Sequence, residues 1–439
     1  IALVYAILSG FWGVVVTDLV QFVIAMFGSI ALAIIALNYV GGMEVLLSKL
    51  NELLGSEVVS DNTLKFIPPI PDTGVATQTF WESPFSKFLI FISVMWWSHH
   101  GTDGGGYIIQ RMSSAKNERH ALLATLWFNI AHYALRVWPW IIVAVVSIVM
   151  FPIIPSEYSE LGVKAGYPLV MNTLLGPGLK GILIVSFLAA FMSTIDTHLN
   201  WGVSYLINDI YKRFFKPNES ERHYVLVGKI MTVILMILAA FTALKMQSIS
   251  KAWEFIFAMG AGIGLVLILR WFWWRVNAWS EITALATSIV ITISFEIIAY
   301  FQTINNNLEY SLFGSAPSIF GMSLQVHHKL MIIVPIAIIA WVTVTFFTEP
   351  EPMTKLESFY KRVQPGGWWG PVTSSFDHTL QPVTKGIFIL WLAGVMMIYG
   401  FTFGIGNLIF QNYSASVILF GFAGIGSYLI WNRNISKLT

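Results

Sequence analysis

The sequence contains no cysteine, which excludes disulfide staples, thiolate metal sites and a cysteine nucleophile. Charge is also scarce: 25 Lys and Arg plus 23 Asp and Glu make up 11% of 439 residues, against about 25% in a soluble domain. That scarcity excludes a soluble globular enzyme and a disordered chain. A net charge of +2 offers no electrostatic footprint for a polyanion, so nucleic acid is not an expected partner. An initiator methionine and the charged leader of a signal peptide are missing as well, and the chain opens on Ile1 inside an apolar stretch. A fragment lacking upstream helices is the expectation. What is abundant is hydrophobicity, 56% of residues with 15% aromatic and a mean hydropathy of +0.70. The chain reads as an integral membrane protein with many spans in a lipid bilayer.

A hydrocarbon core about 30 Å thick needs about 20 apolar residues per helix. Such runs occur at roughly 14–40, 86–110, 123–151, 179–207, 223–245, 253–274, 280–302, 330–348, 384–403 and 413–432, after a helix end at 1–8 that stops at a Ser9–Gly13 break. These runs are too long and too unalternating for the strands of an outer-membrane barrel, so the fold is all-α. One set of alternate loops holds 15 of the Lys and Arg residues and the opposite set 8. By the positive-inside rule, 111–122, 208–222 and the C-terminus are cytoplasmic, and 41–85 and 152–178 lie outside. A plasma or inner membrane is the expected location. The Pro-, Gly- and Trp-rich stretch 349–383 reads as an inner linker.

Polar residues inside spans are costly and therefore informative. Thr17, Asp18 and Gln21 lie near the start of the 14–40 run, where a helix cap and an ion site compete on equal terms. In 179–207, Ser193, Thr197, Asn200 and Ser204 fall on one helical stripe, beside Thr194 and Asp196. Adjacent hydroxyls with freed carbonyls suit a hard monovalent cation, whereas packing bonds to neighbouring turns are the alternative. The run Trp96-Trp97-Ser98-His99-His100-Gly101-Thr102-Asp103-Gly104-Gly105-Gly106 ends in three glycines, each costing about 1 kcal/mol in a helix. This span should be discontinuous, with its irregular backbone lining a cavity. A metal site on His99, His100 and Asp103 is disfavoured, because adjacent histidines do not share a helix face. Arg136 lies mid-span, where it either pairs with a protein acid or binds an anionic substrate group.

These residues carry a resemblance. Gly10…Thr17-Asp18-Leu19-Val20-Gln21, Gln110-Arg111-Met112-Ser113-Ser114-Ala115-Lys116 with Arg119-His120-Ala121, Leu188-Ala189-Ala190-Phe191-Met192-Ser193-Thr194 with Leu199-Asn200, and Asn208-Asp209-Ile210-Tyr211-Lys212 resemble the sodium:solute symporter family in order and rough spacing. The resemblance implies a five-plus-five inverted-repeat architecture, here partial. Residues 1–275 would run from the end of the fourth core helix through the tenth, and 276–439 would be accessory helices and the cytoplasmic linker. It also implies a sodium site using hydroxyls of Ser193 and Thr194 and the carbonyl of Ala190. The acid matching Asp18 serves a further cation in some members; one turn before Ser193 those members have a serine, where this chain has Ala190. Substrate contacts would come from Trp97, His99, His100 and Asp103, from Arg136, and from Trp253 and Glu254.

The implied function is sodium-coupled symport of a small polar organic solute by alternating access, with Na+ as co-transported ion and no organic cofactor. No obligate protein partner is evident. A proton-coupled carrier titrating Asp18 or Asp196 is the nearest rival. A membrane enzyme and a sensor with a transporter-like domain are more distant ones.

Overall fold

The computed structural model describes residues 2–54, 65–71, 77–246, 248–306, 313, 316–319, 321–374 and 384–432. Except for one two-stranded ladder pairing Ser318–Ile319 with Met322–Ser323, the regular elements among them are helical. Eight helices are long and apolar enough to cross a membrane, and a bent pair brings the number to nine. Nine of the ten segments expected from hydropathy correspond to these; the expected 86–110 run is divided among shorter helices and does not reach that length. The chain forms two compact units, one of residues 1–63, 117–242 and 392–439, the other of 64–116 and 243–391.

In the first unit, a helix runs without interruption from Ala2 to Val40. The expected stop at Ser9–Gly13 is absent. Gly10 and Gly13 each weaken a helix by only about 1 kcal/mol, whereas in an apolar medium every unmade backbone hydrogen bond costs more. This helix lies along the Pro177–Tyr205 helix through a small-residue face. Gly28, Leu32, Ala33 and Ala36 are buried, and a Cβ at Gly28 would come within 2.9 Å of Leu183 Cδ1. Close approach of this kind holds membrane helices together when lipid is as apolar as the side chains. The Glu118–Met150 span packs on the same helix and is tied to it by the Trp140 indole N–H, which donates to Ser29 Oγ at 2.8 Å.

The second unit holds two broken spans. The first runs Pro84–Ile90, widens through Phe91–Met95, ends at Trp96–Ser98 and restarts as Gly105–Ser113. Gly104 and Gly105 take φ of 96° and 62°, which only glycine adopts cheaply, so the triple glycine does interrupt the helix. The second, expected as one run over 253–274, is instead Ile249–Met259 and Gly264–Phe272, bent by 40°. The alternating glycines of Met259-Gly260-Ala261-Gly262-Ile263-Gly264 explain the break. The two breaks pack on each other. A Cβ on Gly264 would run into the carbonyls of Trp97 and Ser98, and one on Gly260 into the His100 ring.

The Val326–Phe347 helix is fixed at its start by two imidazoles. His327 Nε2 and His328 Nε2 each donate to the Trp81 carbonyl at 2.8 Å, while the Gln325 N–H donates to His328 Nδ1 at 3.2 Å. His328 thus holds its single proton on Nε2. Within the expected 349–383 linker, Met353–Val363 is an amphipathic helix, with Leu356 and Tyr360 packed on Trp369 and Val372. Its period is visible in the sequence, though it is too short and polar to register as a span.

Candidate functional site

In the first unit, two polar clusters far apart in sequence come together. Asp18 lies well inside the continuous first helix, so its expected alternative role as an N-cap is removed. Its carboxylate instead accepts a hydrogen bond from the Ser193 hydroxyl. Thr194 donates its hydroxyl proton to the Ala190 carbonyl at 2.9 Å. Both protons are thereby turned away, leaving lone pairs on Ser193 Oγ and Thr194 Oγ1 for an electrophile. Thr194 and Ala190 are exposed while Ser193 and Asp18 are half-buried, so this oxygen cluster has an open side. One turn beyond Asp18, Gln21 Oε1 is buried without a partner.

The expected polar stripe faces inward. Thr197 is buried and Ser193, Asn200 and Ser204 are half-buried, while Phe191, His198 and Tyr205 are exposed. Asp196 is fully buried and accepts from Asn200 Nδ2 at 2.9 Å within its own helix. Arg136 places Nη2 3.3 Å from His132 Nε2 and its guanidinium 5.3 Å from the Trp140 ring centroid.

In the second unit, Trp97, His99, His100, Asp103 and Trp253 gather where the two broken spans meet. The His99 ring is edge-on to Phe257 at 6.3 Å, and Phe257 lies against Trp253 at 5.6 Å. His99 Nδ1 accepts from the Gly101 N–H at 2.9 Å, which fixes the interrupted turn and leaves Nε2 available. Ser98 Oγ is buried without a partner at the same place. Asp103 is engaged on both oxygens: Oδ1 accepts from the Gly105 N–H at 3.1 Å and Oδ2 from Arg270 Nη2 at 2.6 Å. Arg270 also donates through Nη1 to Glu281 at 3.0 Å. The carboxylate therefore clamps one broken span to the other. Glu254 departs from the group, pairing with Lys251 at 3.0 Å near the Glu296–Lys329 pair.

Sequence reading missed Arg270 and Glu281, because both fall at span ends and read as loop charges. The glycine alternation at 260–264 was the available signal for the second break. Among the described residues, no three His, Asp or Glu side chains converge as metal ligands, His99, His100 and Asp103 included.

The sodium:solute symporter family model matches residues 1–290. The chain belongs to this family. Among this family member's curated relatives, the sodium/glucose cotransporter 1 of Oryctolagus cuniculus is 26% identical over 376 residues, covering 79% of this chain and 55% of the relative. The osmoregulated proline transporter OpuE of Bacillus subtilis (strain 168) is 23% identical over 309 residues, covering 67% and 56%. The chain spans about half the length of the curated relatives it matches. A solved structure, the substrate-bound outward-open state of a Na+-coupled sialic acid symporter, superposes with a TM-score of 0.53 at 17% identity, covering 80% of this chain and 66% of that one. The symporter family member is thus a multi-pass, all-α integral membrane protein of the transporter fold that its motifs implied. Its named relatives are transporters, not enzymes.

Proposed function

We propose that this family member acts as a sodium-coupled symporter, importing a small polar organic solute by alternating access. The observation that carries the reading is the meeting of Asp18 with Ser193 beside Thr194 and the Ala190 carbonyl. A carboxylate, two hydroxyl oxygens with free lone pairs and a helix carbonyl form the hard, oxygen-only set that a monovalent cation requires. The negative charge of Asp18 adds the long-range attraction that neutral oxygens lack. Sodium bound here would bridge the Ala2–Val40 and Pro177–Tyr205 helices and favour the state in which they sit closest. A ligand shifts a conformational equilibrium only through such differential binding.

The solute would bind at the broken spans, where irregular backbone leaves carbonyl and N–H groups unused by helix. His99, His100, Trp97 and Trp253 offer hydrogen bonds and aromatic faces for a polar solute, with Asp103 as the clamp behind them. Arg136 is a separate candidate within the first unit, as a contact for an anionic solute group. We assign residues 1–275 to the transporter core and 276–439 to accessory helices and a linker, with the C-terminus cytoplasmic.

The test is uptake by the full-length protein in proteoliposomes, with sodium replaced by choline at fixed pH. Loss of uptake in choline, and loss of sodium dependence in the Ser193→Ala/Thr194→Ala variant, is the expected result. Uptake that survives in choline but follows a pH gradient would transfer the coupling role to a proton on Asp18 or on the buried Asp196. Sodium-driven uptake that persists in the double variant would remove the site assignment.

A further inference from the structure

Five residues after the clamped Arg270, Arg275 is placed differently. It lies between the Gly264–Phe272 and Ala278–Asn305 helices and reaches the end of the Val326–Phe347 helix, so three helix ends meet around it. Its guanidinium has five N–H donors, yet among the described residues it makes one bond, a long one from Nη2 to the Phe346 carbonyl at 3.4 Å. Nη1 is shielded from water without a partner. The Trp274 ring lies on one side, its centroid 6.0 Å from Cζ. Among the described residues Arg275 makes no ion pair, whereas Arg270 holds two carboxylates.

The outward-facing side is apolar, while Asn277 bonds Thr348 and the Glu349 carbonyl at the same helix ends. Phe347 is 87% exposed, Phe346 61% and Trp279 59%. Trp271 and Trp368 are exposed in the same region of helix ends, linked through the Trp368 N–H donating to the Phe272 carbonyl. Tryptophans gathered at helix ends mark the boundary between hydrocarbon and headgroups. A cation there, without a protein acid and bordered by lipid-facing rings, has lost part of its hydration and gained no counter-charge.

We propose that Arg275 is the centre of a binding site for an anionic phospholipid. With Nη1 shielded, the Nε–Nη2 edge of the guanidinium holds the headgroup phosphate, and the acyl chains lie along Phe346, Phe347 and Trp279. Charge complementarity selects the occupant. A zwitterionic headgroup brings its own ammonium and offsets the attraction, whereas an anionic one leaves its full charge for Arg275. The planar fork matches two phosphate oxygens, which a lysine ammonium cannot do. The site depends on membrane insertion and not on the coupling ion, so its test is separate from that of transport.

The experiment is native mass spectrometry of the full-length protein released from nanodiscs containing equal phosphatidylglycerol and phosphatidylcholine. The wild type should retain phosphatidylglycerol about five-fold over phosphatidylcholine, the preference one interfacial cation confers. Arg275→Gln should abolish that preference, and Arg275→Lys should keep part of it. Arg362→Gln, which removes an exposed charge on another helix, should leave it unchanged. Equal retention of the two lipids by the wild type, an unchanged preference in Arg275→Gln, or displacement of the lipid by millimolar inorganic phosphate would each overturn the proposal. If Arg275→Gln is poorly folded, a reduced preference in a well-folded Arg275→Lys supports the fork, and an undiminished preference in that variant refutes it.

Discussion

Breaking the clamp between Asp103 and Arg270 is expected to loosen the crossing of the two broken spans. The Asp103 side chain is only 10% exposed and Arg270 35%, so the pair sits between a surface bridge and a buried one. At an effective dielectric near 20, opposite charges about 4 Å apart attract by about 4 kcal/mol. Desolvation offsets part of this, and Arg270 divides its donors between Asp103 and Glu281. A coupling of about 1.5–3 kcal/mol remains, within the range measured for contacting residues. Asp103→Asn can keep the bond from the Gly105 N–H while losing the charge. Arg270→Gln leaves Asp103 and Glu281 as two uncompensated acids and should be the more damaging single change. The assay is a double-mutant cycle on denaturation midpoints of the full-length protein in detergent. The double variant should be clearly less destabilised than the sum of the singles. Additive singles, with a coupling below about 0.5 kcal/mol, would refute the clamp. A reversed pair, Asp103→Arg with Arg270→Asp, should fail to rescue, because residue 270 would then face Glu281, and adding Glu281→Gln should restore part of the loss.

Gly264→Val should disrupt the crossing more severely than Gly181→Val, since an added Cβ at 264 meets backbone carbonyls whereas position 181 faces open space; expression and monodispersity of the two variants compare them directly. Asp18→Asn should weaken sodium activation of uptake by at least ten-fold in apparent affinity, because the carboxylate is the one formal charge in the proposed oxygen set; an unchanged sodium titration would exclude Asp18 from coordination. His328→Gln should be tolerated, since the amide can accept from the Gln325 N–H and donate to the Trp81 carbonyl, while His328→Ala should cost about 1–2 kcal/mol as a lost cap. Thermal midpoints separate these outcomes. Gly28→Leu should separate the Ala2–Val40 and Pro177–Tyr205 helices, detected as lost stability together with lost uptake.

The two broken spans bear on how such a protein can handle a polar solute at all. An unbroken helix satisfies its own backbone and presents only side chains. At 99–104 and 260–263 the chain gives up that self-sufficiency, and glycine packing together with the Asp103–Arg270 bridge stabilises the exposed backbone. Asp103 illustrates the consequence. Its position among histidines and glycines suggests substrate contact, yet both of its oxygens are committed to holding the break in shape.

By itself, the sequence determined the class of molecule. Long apolar runs in a chain with 11% charge have no stable alternative to membrane helices, and consecutive glycines at 104–106 announced a break because glycine loses the most entropy in a helix. Motif order gave the family, which the match over residues 1–290 establishes. Only the tertiary structure joined Asp18 to Ser193, 175 positions apart, since no local period links two helices that meet through small-residue packing. It also decided that Gly10 and Gly13 stay helical while Gly260 and Gly262 do not. Glycine carries the same intrinsic cost in both places, but the second pair packs closely on neighbouring segments. Charges at span ends, such as Arg270, Glu281 and Arg275, read alike as loop residues in one dimension. Which of them clamps a helix and which makes no ion pair among the described residues depends on the neighbours that three dimensions supply.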